Sequence, residues 1–264
     1  MASTLLPKIP SNLCIHVPHS GTGIPIEFKE AFIVPPERVY EEISVMTDWY
    51  TDDLFLSSVF PSVVFPVSRI VCDVERFLDN NKEPMSKVGM GVYYTHGYDR
   101  SRIKHFPVNT QRNMLKLCTR LYKEHHNALR HIVDDLLWEY DDMVLIDAHS
   151  FMSLALPYED ETLYRPEICI GTDKIFTPKW LEELAVNHFK KEGLDVALNT
   201  PFPGTMVPSP YLERKDTRIH SIMIEVSKKL YMDEYTGEKT DGYYQIQSMI
   251  ADLYDKLPIN AELK

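Results

Sequence analysis

The sequence predicts an α/β domain with a central, mostly parallel or mixed sheet and helices on both of its faces. Short apolar, β-branched runs alternate with amphipathic helical stretches along the chain, and such a series buries its apolar faces most simply as a covered sheet. The 264 residues are 44% hydrophobic and 25% charged, as expected of one soluble α/β unit. No repeat, low-complexity tract or linker divides the chain, so residues 1–264 are expected to form one domain.

The elements follow in order. Leu13–Val17 reads as a buried strand ending at Pro18-His19-Ser20-Gly21. Thr47 is placed to cap a helix through Trp49, Leu54, Phe55 and Val59. Residues 62–67 and 69–74 read as extended, β-branched segments. Residues 78–106 are polar, with Gly89, Gly91 and Gly97 among tyrosines, and read as a long loop or hairpin region of the kind that covers sites. Leu115, Cys118, Leu121, Tyr122, His125, Leu129, Ile132 and Leu136 recur at helical spacing and predict a long amphipathic helix. Its His125, His126 and His131 are read as surface or helix-packing residues. Residues 143–146 form an apolar strand running into Asp147-Ala148-His149-Ser150, and 168–170, 196–198 and 222–226 are further strands. Thr177-Pro178 predicts a helix start, and a last helix covers roughly 243–257.

The bulk properties exclude some functions. A net charge of −11 argues against nucleic acid, which needs clustered Lys and Arg, yet a local arginine pair still suits an anionic small molecule. No apolar run reaches the ~20 residues of a membrane span, and the opening residues are too polar for a signal peptide, so a cytoplasmic protein without a membrane partner is expected. The four scattered cysteines, Cys14, Cys72, Cys118 and Cys169, form no CxxC pair and read as small buried residues. Self-association is left open.

The chemistry gathers where polar residues interrupt apolar strands. His19, His149 and Glu225 lie at or near strand ends, and ligands of open α/β sheets sit beyond the carboxyl ends of strands. Two imidazoles with a carboxylate suit zinc, which in catalytic sites keeps three protein ligands and one position for water. Asp147 and Ser150 flank His149 and are placed to orient it. In the run 68–76, Arg69, Asp73 and Glu75 share one face if the backbone is extended, so a bend is needed to bring Arg76 to Arg69. Two such arginines are either surface ion pairs or a carboxylate clamp with an oxyanion partner. Glu225, inside an apolar strand, is either an edge residue facing solvent or a general base of tuned pKa.

Together Pro18-His19-Ser20-Gly21, the 69–76 run, Asp147-Ala148-His149-Ser150, Asn199 with Pro201-Phe202-Pro203-Gly204, and Ile224-Glu225 followed by Leu230-Tyr231-Met232 resemble the N-formylglutamate amidohydrolase family. The matches run in order from near residue 15 to near 233. That family is similar in fold to zinc carboxypeptidases and aspartoacylase-type deacylases. The resemblance implies a Zn2+ held by His19, His149 and an acid between them. The carboxypeptidase pattern has that acid three residues after the first histidine, where this chain has Thr22; Asp48 is preferred, with Glu27, Asp52 and Asp53 as alternatives. It also implies Glu225 as general base, Arg69 polarising the scissile carbonyl, Arg76 binding a substrate carboxylate and Asn199 contributing to the substrate site. The implied substrate is a small acylated amino acid such as N-formylglutamate. Related deacylases carry Asn-Arg where this chain has Glu75-Arg76. A metallocarboxypeptidase acting on peptides and a non-catalytic binding protein are the alternatives. A serine hydrolase is disfavoured, because no GxSxG elbow exists.

Overall fold

In the computed structural model, residues 11–105 and 108–257 are described. The opening stretch weighed as a signal peptide falls largely outside them, as do Phe106 and residues 258–264. Strands β1 (Leu13–Val17), β2 (Ser62–Val64), β3 (Met143–Phe151), β4 (Ile168–Gly171), β5 (Val196–Leu198) and β6 (Ile219–Ser227) form one sheet in the order β2-β1-β3-β6-β4-β5. Neighbours from β2 to β6 are parallel; β4 turns antiparallel to β6, and β5 runs parallel to β4. The sheet is therefore mixed, and helices cover both of its faces, as the alternation predicted.

The pleat sorts the side chains. Ile15, Ile146, Ile168, Ile222 and Ile224 point to one face and pack against α5 (Lys179–Lys191) and α7 (Gly242–Tyr254), through Leu181, Phe189, Ile246 and Ile250. Cys14, Met143, Leu145 and Ile219 point the other way, against Leu129, Val133 and Leu136 of α4 (Val108–Glu139) and Tyr211 of α6 (Ser209–Arg214). Each of these α4 residues is wholly buried, and burial of such a side chain contributes about 1.5–3 kcal/mol. The first half of α4 serves a second core, where Met114 and Cys118 meet Ile70, Val71, Cys72, Val92 and Tyr94 from the long loop region.

Along the α4 face the strands change character. Cys14 is followed by His16, Leu145 by Asp147 and His149, and Ser221 by Met223 and Glu225. Register aligns His16 with Asp147 and His149 with Glu225, so the polar residues gather at the carboxyl end of the sheet.

Some expectations are corrected. Thr47 ends α2 (Pro36–Met46), a helix missing from the sequence reading, and residues 47–59 hold only the short α3 (Thr51–Leu54). Prolines at 35 and 36 pre-set the α2 start, a signal that could have found it. Residues 69–74 are turns, with Val71 N and Cys72 N both donating to Ser68 O; their β-branched side chains fill the second core instead of a ladder. Pro178, not Thr177, is the cap position of α5, and the Thr177 hydroxyl donates to Ser221 O. Of the two readings of His125, the helix-packing one holds: it is buried and meets His16. The four cysteines are free and buried. No helix among the described residues is long and apolar enough to cross a membrane.

Candidate active site

Three side chains meet at the end of β1 and β3. His19 follows β1, His149 lies on β3, and Asp48 leads into α3 with its amide donating to His19 O. His19 Nδ1 stands 3.3 Å from His149 Nδ1, and Asp48 Oδ2 stands 3.1 Å from His149 Nδ1 and 3.8 Å from His19 Nδ1. Ligands of a tetrahedral zinc bound at about 2.0–2.1 Å would be separated by roughly 3.3 Å, so this donor set fits such an ion. Gly21 lets the loop carrying His19 lie against the 65–66 backbone, where a Cβ would collide with Phe65 O.

The far side of each imidazole is pinned. His19 Nε2 donates to Asp73 Oδ1 at 2.9 Å, and His149 Nε2 stands 3.3 Å from Asp147 Oδ1. With Nε2–H given to a carboxylate, each Nδ1 lone pair is left facing the other, which is the tautomer a metal requires. Asp147 is held in turn: His16 Nδ1 donates to its Oδ1 at 2.8 Å, Met206 N to its Oδ2 at 2.8 Å, and His125 from α4 meets His16 Nε2 at 2.8 Å.

Asp73 is a buried hub. Its Oδ2 accepts from Arg69 Nη2 at 2.9 Å and Tyr94 Oη at 2.7 Å, and Arg76 Nε stands 3.5 Å away. The turn at 69–76 is thus the bend needed to bring both arginines to one place.

The electrostatics follow from burial and pairing. Burial favours neutral carboxyls, but Arg69, His19 and Arg76 hold Asp73 well below the ordinary range. Asp48 and Asp147 are likewise held low against their burial, by His149 and His19 and by His149 and His16. Burial pushes His149 down, yet Glu75, Asp147 and Asp48 outweigh it and leave it well raised. The anions therefore draw positive charge into this cluster. Glu225 differs: burial pushes its carboxyl up to about 8, and its Oε2 has no hydrogen-bond partner.

A cavity of about 1080 Å³ reaches from His19, Asp48, His149 and Glu225 past Arg69, Glu75 and Arg76 to Phe202 and Leu212. The sequence profile of the N-formylglutamate amidohydrolase family matches residues 11–232. The chain belongs to that family. As a member it is an amidohydrolase, an enzyme that cleaves amides with a small-molecule substrate. Among solved structures, N-formylglutamate amidohydrolase from Ralstonia eutropha JMP134 is 22% identical, with a TM-score of 0.77 over 93% of this chain and 92% of that one. A gene product of Agrobacterium tumefaciens is 14% identical, with a TM-score of 0.63 over 94% and 92% of the two chains. Both show a shared fold. No curated protein sequence matches significantly.

In this amidohydrolase the structure brings together His19, Asp48, His149, Glu225, Arg69 and Arg76 around one cavity. Glu27, Asp52 and Asp53 are exposed and apart from the two histidines; Asp53 pairs with Lys239 and Tyr243. Asn199 is outside the cavity lining. Its Oδ1 accepts from Thr172 N at 2.8 Å and Gly204 N at 3.4 Å, so it shapes the 201–204 loop that does line the cavity. Sequence reasoning missed the roles of Asp73, His16 and His125, which no local spacing reveals.

Proposed function

We propose that this amidohydrolase is zinc-dependent and hydrolyses the N-acyl bond of a small acidic amino-acid derivative such as N-formylglutamate. The observation that carries the reading is the convergence of His19 Nδ1, His149 Nδ1 and Asp48 Oδ2, each imidazole pinned from behind by a carboxylate. A bound zinc supplies Lewis acidity to the scissile carbonyl and makes water a nucleophile near neutral pH. Among the described residues, Glu225 is the one cavity carboxylate with an unpartnered buried oxygen, so it takes the proton of the attacking water and returns it to the departing amine. Arg69, fixed on Asp73 and 3.8 Å from Asp48, faces the oxyanion. Arg76 is the less committed arginine: its Nε makes no hydrogen bond and its side chain is 24% exposed, which suits a substrate carboxylate.

The test is elemental analysis of the purified protein beside a His19→Ala/His149→Ala variant, with an assay of N-formyl-L-glutamate. Near-stoichiometric zinc, lost in the variant, with release of formate supports the reading. A protein that neither carries nor takes up zinc overturns it.

A further inference from the structure

The cavity is lined differently on the two sides of the His19–Asp48–His149 cluster, and the sheet order separates them. His19 follows β1, and Asp73 links it to Arg76 on that side. On the other side, β6 sets Glu225 beside His149, and β4 sets Cys169 beside Glu225. The Cys169 thiol donates to Phe202 O at 3.3 Å, which seats the Phe202 loop over β4. From β1 to β4 is three inter-strand steps, about 14 Å at roughly 4.7–4.9 Å each. A substrate whose carboxylate meets Arg76 and whose scissile carbonyl meets the cluster therefore directs its acyl group toward Phe202.

That side presents apolar surface. Phe151 lies two residues beyond His149 on the same face of β3, and its ring centroid is 5.5 Å from that of Phe202. The Arg165 guanidinium stands 5.2 Å and 5.5 Å from these two rings, with its N–H groups given to Met152 O and Glu159. It braces the rings and has its charge already paired. Two further acids of the cavity wall are engaged as well, Asp160 by Thr162 and Glu213 by Ser209. Leu163 and Leu212 line the same cavity yet remain 42% and 45% exposed, apolar surface that an apolar ligand would take out of water. A formyl group places one carbon beyond the scissile nitrogen and leaves this wall uncovered. The roughly 1080 Å³ of space also exceeds the ~300–1,000 Å³ usual for small-ligand pockets.

Resting on the amidohydrolase reading above, we propose that the preferred acyl group is bulky and apolar, of the arylacetyl kind, and is seated against Phe202 while Arg76 holds the carboxylate of the leaving amino acid. The substrate class is then an acidic amino acid capped on its nitrogen by an apolar acyl group, and Phe202 is a specificity-determining residue. The chemistry is unchanged: water oxygen bonds to the carbonyl carbon, the C–N bond breaks, and the water proton passes through Glu225 to the departing nitrogen. The acyl group leaves as its carboxylic acid.

The test compares N-phenylacetyl-L-glutamate with N-acetyl-L-glutamate, which differ only in the ring, with N-formyl-L-glutamate as a third substrate. Release of L-glutamate is followed with zinc-loaded wild type, Phe202→Ala and Leu212→Ala. Wild type is expected to favour the phenylacetyl over the acetyl compound by about tenfold or more in kcat/KM, the scale of burying a few apolar carbons in a hydrophobic pocket. Phe202→Ala should erase most of that ratio, and Leu212→Ala, on the exposed rim, should lower it by about threefold. A ratio cancels differences in active fraction, and Leu212→Ala decides if Phe202→Ala does not fold. Equal or better turnover of the acetyl compound by wild type overturns the proposal, whatever the variants do. So does an unchanged ratio in Phe202→Ala, or in Leu212→Ala where that variant decides. If wild type hydrolyses N-formyl-L-glutamate alone, the amidohydrolase reading stands and this inference falls. If it hydrolyses none of the three, both fall.

Discussion

His149 and Glu225 stand on paired strands, whereas His19, Asp48 and the 69–76 turn reach the same point from loops. The strand half is fixed by ladder hydrogen bonds and by a register that sets His149 opposite Glu225. His19 and the 69–76 turn are tied through one carboxylate, since Asp73 takes His19, Arg69, Tyr94 and Arg76 at once, while Asp48 is held by Ser150 N and His149. Rigidity is thus distributed in one half and concentrated in the other, so the loop half is vulnerable to a single substitution.

The largest expected effect is on the strand half and is chemical. Glu225→Gln should lower kcat by about 10²–10⁴-fold with zinc content unchanged, read by turnover and elemental analysis; normal turnover would remove Glu225 from proton transfer. Next, Asp73→Asn and Asp147→Asn should each weaken zinc binding by about 10–100-fold in chelator competition. Only Asp73→Asn should also raise KM, because Arg69 and Arg76 lose their anchor; identical kinetic profiles for the two variants would break the comparison. Gly21→Ala should cost about 1–3 kcal/mol in denaturant unfolding, because the new Cβ meets backbone at 65–66 and not a movable side chain. An unchanged midpoint would show that the His19 loop can shift.

The last effect is on stability and concerns pH beneath the loop half. Lys104 is wholly buried, donates to Ile70 O and Tyr94 O, and is pulled by burial down to about 7. Its unfolded value is about 10.4, so between about pH 7 and 10.4 the unfolded chain binds a proton that the folded chain does not. Folding stability from this group therefore rises with pH across that window, by up to about 1.4 kcal/mol per unit. Lys104→Met should flatten the slope, and equal slopes in unfolding series at pH 7.5 and 9 would contradict the burial argument.

The same division decides what was legible in the sequence. The β1, β3 and β6 runs were readable because burial on both faces demands continuous apolar residues, and His19, His149 and Glu225 stood out against them. The turn at 69–76 was not readable, because Ile70, Val71 and Val74 have strand-forming side chains buried by loop packing. The meeting of His16 with His125 joins positions 109 apart and leaves no local trace. Asp48 was preferred from the resemblance, and only its closeness to both histidines separates it from Asp52 and Asp53.

Asp147 and His149 lie two residues apart on β3, so the pleat turns both toward α4. A residue inserted or deleted upstream within that strand would rotate the pair together to the α5–α7 side, never one without the other. The imidazole and the carboxylate that sets its tautomer are thus inherited as one cassette. Length variation among relatives should accumulate before residue 143 and after 151, where loops can absorb it.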